Sequence, residues 1–160
     1  SRFHELQFRS QSLLFYDRYA RPIVGEHEGA FYDGTGPDAT ARGNPFAAKR
    51  IDEEMNRRFP GLLKVEPEEF LVKVYVYEGP GLAAVGPIVL YSSDYLQQAE
   101  FDASRTSLLY HELAHALGVP EGYHTETQAT FRDDVMGSGR FKPLSTTYLS
   151  NETKAAMGLR

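Results

Sequence analysis

This chain predicts an α+β fold, on three observations. Two stretches of helical periodicity bracket the chain's β-rich centre, one run inside that centre alternates apolar and polar side chains, and the last third is dense in turn residues. Strands and helices that do not alternate regularly favour segregated layers over a doubly wound sheet. At 160 residues the expectation is one domain, residues 1–160, around one core.

The elements follow in order. SLLFYDRYARPIV (12–24) mixes β-branched and aromatic residues and reads as a first strand. GEHEGAFYDGTGPDATARGNP comes next, a Gly/Pro/Asp-rich loop of about twenty residues, a length that is usually functional or mobile. NPFAAKRIDEEMNRRF (44–59) is an amphipathic helix, with Asn44 as N-cap, Pro45 in the first turn, and Phe46, Ile51, Met55 and Phe59 near one face. FLVKVYVYE (70–78) is a strand by its alternation. LAAVGPIVLYS (82–92) is a further strand interrupted at Gly86 and Pro87. Pro87 has no N–H for a ladder, so an edge position or a bulge is expected there. SRTSLLYHELAHALG (104–118) is the second long helix, capped near Ser104 and stopped at Gly118 with Pro120 beyond. Ser150 caps a last short helix, NETKAAMGL.

Composition narrows the function. Apolar content of 41% and charged content of 24% are those of an ordinary globular domain. A net charge of -5 without any Lys/Arg run argues against nucleic acid as a partner. No apolar run approaches the roughly 18 residues of a membrane span. The absence of cysteine removes thiolate metal sites, disulfides and cysteine nucleophiles together, and no G-x-S-x-G serine elbow is present. A monomer is expected. The polar start at Ser1 holds no apolar signal core, so a signal or pro-segment is expected to lie outside this sequence.

The chemistry concentrates in HELAHALGVPEGYH (111–124), which contains three of the five histidines. HExxH on a helix sets His111 and His115 one turn apart on one face, so both imidazoles reach a single ion. Glu112 beside them can hold a water and accept its proton. A catalytic zinc takes three protein ligands and an open position. Gly118 can adopt a left-handed conformation that turns the chain back, and the next residues then offer either Glu121 or His124 as third ligand. Tyr123 and Tyr148 are packing residues with phenols able to donate to an oxyanion.

HExxHxLGxPE followed by DDVMGSG resembles the metzincin clan of zinc endopeptidases, most closely the small secreted snapalysin-type proteases. The resemblance covers roughly residues 80–140. There the third ligand is an aspartate in LGLPD, where this chain has LGVPE. The resemblance implies a small metzincin-like catalytic domain: a twisted mixed sheet with a backing helix, an active-site helix and a loop-rich C-terminal part. It implies one catalytic Zn2+ held by His111, His115 and Glu121, with His124 as the alternative, and Glu112 as general base. Met136 becomes the methionine of a turn beneath the metal. The strand near 82–91, through Ala83, Ala84 and Val85, becomes the rim to which a peptide or protein substrate adds as a further strand, and 137–148 lines the pocket after the scissile bond. Secretion is implied as well. Rival readings are a later glutamate, Glu126 or Glu152, as third ligand, a binding module without turnover, and a zinc hydrolase of a non-peptide amide.

Overall fold

The computed structural model describes residues 23–34, 43–60, 72–79, 81–98, 102–120 and 132–158. Among them the chain runs α1 (Gly29–Asp33), α2 (Asn44–Arg58), β1 (Lys73–Tyr77), β2 (Leu82–Val85), β3 (Ile88–Ser92), α3 (Ser93–Gln98), α4 (Ser104–Ala116), two 3-10 turns (Ser138–Phe141 and Leu144–Thr146) and α5 (Asn151–Ala156). The class is α+β with a small mixed sheet, as expected. The expected first strand lies outside the described residues, apart from Ile23 and Val24, which are irregular and exposed.

The sheet order is β1-β3-β2, with β1 parallel and β2 antiparallel to β3. The run 82–92 is therefore two strands and not one interrupted strand. Gly86, at a φ of 56°, and Pro87 form a two-residue hairpin turn between them. A glycine at positive φ in the first central position matches the twist of a tight hairpin, so Pro87 is a turn residue and not an edge or bulge residue. The central strand β3 is buried on both faces through Val89, Leu90, Tyr91 and Ser92.

One face carries α2: Ala47 and Ala48 are fully buried with Leu90, and Ile51, Tyr75, Tyr77, Val85 and Ile88 pack around them. Small residues let the helix approach closely, which leaves Phe46 40% exposed rather than in the core. In β1 the expected alternation is inverted. Val74 and Val76 face outward, while Lys73 and Tyr75 bond Asp52 of α2 at 2.8 and 2.7 Å. Asn44 is the first helical residue and Gly43 the N-cap; the Asn44 amide instead donates to Leu82 O at 3.1 Å, tying α2 to β2. Part of the expected long loop is helical, namely α1, whose Tyr32 hydroxyl donates to buried Glu54 of α2.

The other face carries α4. Tyr91 is 1% exposed and its hydroxyl donates to Arg105 O at 2.5 Å. Burial pushes this phenol up to about 12, so it remains a protonated donor. At the start of α4 the N-cap is Ala103, next to the expected Ser104, which is itself the first helical residue; Asp102 accepts from the Ser104 N–H and hydroxyl at 3.0 and 2.6 Å. Ser150 does cap α5, accepting the Thr153 N–H at 3.1 Å.

Candidate metal centre

The histidine pair is built by two local devices. The first is the end of α4. Val119 N–H bonds Ala114 O at 3.1 Å and Gly118 N–H bonds His115 O at 3.0 Å, while Gly118 has a φ of 112°. This is the six-to-one and five-to-two pattern of a Schellman stop, with the accompanying apolar contact between Val119 and Ala114 in the core. It leaves Val119 O facing back toward the helix, where it accepts from His115 Nδ1 at 3.0 Å.

The second device is the turn Asp134–Gly137, closed by Gly137 N–H to Asp134 O at 2.8 Å. Its Met136 is fully buried among Ala114, Val119, Val135 and Met157. Its Val135 O accepts from His111 Nδ1 at 3.0 Å. A carbonyl can only accept, so both Nδ1 atoms donate, and in the neutral ring each Nε2 then carries the lone pair. The two rings lie 4.7 Å apart between centroids and perpendicular, at 89°. Glu112 is buried, 8% exposed, about 60° around the helix from His115.

Four residues that frame this arrangement were not singled out by sequence reasoning. Ser107, fully buried one turn before His111, donates its hydroxyl to Lys142 O at 2.6 Å and fastens the first 3-10 turn to α4. Gly139 lies so close to the turn that a Cβ there would meet Asp133 O at 2.4 Å and Asp134 O at 2.5 Å. Asp134, fully buried, accepts from Met136 N–H and Ser150 N–H, each at 2.8 Å, and from the Thr153 hydroxyl at 2.7 Å. Thr153 is itself buried on α5. A signal for the aspartate existed in DDVMGSG: an Asp two residues before a turn's third position is a natural acceptor for that position's N–H.

Of the expected site residues, His111, Glu112, His115 and Met136 come together here. Among the described residues no three His, Cys, Asp or Glu side chains gather into a metal-holding group. Glu121 and His124 lie outside the described residues, as do Tyr123 and Glu126. Glu152 is exposed in the first turn of α5. Tyr148, 42% exposed, bridges to Asp134 through its backbone.

The register sorts Ala83, Ala84 and Val85. Ser92 N–H bonds Gly81 O at 3.0 Å, and in an antiparallel pair such bonded positions recur every second residue. Ala83 and Val85 therefore spend their backbone groups on β3, and only Leu82 and Ala84 turn theirs to the outer edge. Leu82 O is already engaged by Asn44, so Ala84 carries the outward N–H and C=O nearest the turn. No family model, curated protein or solved structure matches the chain. No helix among the described residues is long and apolar enough to cross a membrane.

Proposed function

We propose that this chain is a zinc-dependent endopeptidase with a metzincin-like catalytic domain. The observation that carries the reading is the matched presentation of His111 and His115. Each gives Nδ1–H to a backbone carbonyl at 3.0 Å, one turn apart on one helix face, which in the neutral ring leaves the lone pair on Nε2. Metal-ligating histidines are held in this way, with the second nitrogen fixing tautomer and ring orientation. Two neutral imidazoles suit Zn2+, and Glu121 completes the ligand set, with His124 outside it. The antiparallel outermost strand β2, the buried Met136 and the backing helix α2 support the finer fold assignment.

Zinc held by His111, His115 and Glu121 would supply Lewis acidity for the scissile carbonyl and for the attacking water. Glu112 takes a proton from the attacking water and delivers it to the amine nitrogen as the C–N bond breaks. Val135 O and Val119 O keep both rings in register throughout. Ala84 pairs with the backbone of an extended peptide, and 137–148 lines the pocket beyond the scissile bond. The protein acts on peptide or protein substrates as a secreted monomer.

The ligand set is tested by zinc content after gel filtration. His111→Ala, His115→Ala and Glu121→Ala lose the metal, and His124→Ala keeps one equivalent. The opposite result for Glu121 and His124 makes His124 the third ligand, and zinc retained without either His111 or His115 removes the reading.

A further inference from the structure

We propose that Asp134 is the positioning residue for His111, acting through a single peptide plane; the proposal rests on the metal reading above. Val135 C=O and Met136 N–H belong to the same peptide unit, and no described peptide bond is cis. In a planar trans peptide these two groups point in opposite directions. Asp134 Oδ1 accepts the N–H at 2.8 Å, which aims the carbonyl the other way, to its 3.0 Å bond with His111 Nδ1. Rotation of this plane would withdraw the carbonyl from the ring.

The carboxylate is itself held. Oδ2 accepts from Ser150 N–H at 2.8 Å and from the Thr153 hydroxyl at 2.7 Å, both at the capped start of α5. Neighbouring bonds restrain the turn further: Val135 N–H to Tyr148 O at 3.0 Å and Gly139 N–H to Asp134 O at 3.1 Å. Three neutral donors converge on this fully buried carboxylate, and their bonds make up for its lost hydration. The C-terminal helix thereby reaches the histidine face through one side chain. His115 provides the internal contrast, because its Nδ1 partner, Val119 O, is set by the end of α4 and not by Asp134.

The test uses the full chain, with and without zinc, and reads the imidazole Nδ1–H resonances by NMR together with zinc affinity by chelator competition. Asp134→Asn places an amide donor against an N–H or hydroxyl donor. It is expected to shift the His111 Nδ1–H signal and speed its exchange with water, to leave the His115 signal in place, and to weaken zinc binding about 10–100-fold. Asp52→Asn, which disrupts a carboxylate bonded to Lys73 and Tyr75 away from the histidines, should leave both signals and the affinity unchanged. Thr153→Val removes one donor to Oδ2 and should move only the His111 signal, by less. An unmoved His111 signal in Asp134→Asn overturns the proposal, as does equal movement of both histidines, which marks general loosening. Should Asp134→Asn not fold, the same two outcomes in Thr153→Val decide. A wild-type chain that takes up no zinc defeats the metal reading instead, and the comparison of the two histidines in the metal-free protein still stands or falls alone.

Discussion

Two backbone carbonyls decide how the histidines are presented, and each is set by a residue with little choice. Gly118 must occupy the left-handed region, at a φ of 112°, for Val119 O to face His115. Gly139 must lack a side chain because the Asp133 and Asp134 carbonyls leave no room. Gly139→Ala should therefore displace the turn and cost about 1–3 kcal/mol, a drop of several degrees in Tm for a chain of this size. Gly29→Ala, where nothing lies within 4 Å, should stay within about 0.5 kcal/mol of wild type. Matched denaturant curves for the two variants check this, and equal stability of both contradicts it. His111, Glu112 and His115 were legible because their spacing is dictated by helix geometry alone. Asp134 was legible only as a turn acceptor for the Met136 N–H; its burial was not, since that depends on Ser150 and Thr153 converging on it from a distant segment.

At the scale of elements, the hairpin matters most. Gly86-Pro87 between two apolar runs was a turn signal, but a proline inside a β-rich run reads equally as an interruption. Pairing partners decide between the two, and partners are long-range information. The register then moves the point where a substrate strand would be felt. Val85 is the closing pair of the hairpin, bonded to Ile88, so a proline there breaks the fold's own ladder. Ala84→Pro removes an N–H that β3 does not use and should raise KM for an extended peptide with little change in Tm, whereas Ala84→Ser should leave KM unchanged. Equal KM values for the two variants would remove β2 as the substrate edge. Inverted burial in β1 has a similar origin: the Asp52 carboxylate draws Lys73 and Tyr75 inward and leaves the two valines outside.

For the whole molecule, α2 and α4 enclose the sheet, and the C-terminal segment returns to α4 through Ser107, Met136, Asp134 and Met157. The α+β class was readable from periodicity, because each element announces its own period. How the layers meet was not, because it depends on small residues such as Ala47 and Ala48 and on hydrogen bonds between distant segments. The histidine face lies where those layers and the returning tail converge, which gives Glu112 the buried, helix-fixed setting that a general base needs. Hydrolysis with Glu112 as that base is decided by one paired measurement: zinc content and cleavage of a mixed peptide library for the wild-type chain beside Glu112→Gln. One zinc is expected in each protein, with a cleavage rate lower by about 10² or more in the variant. Cleavage by Glu112→Gln at the wild-type rate, or none by a zinc-loaded wild-type chain, would contradict it.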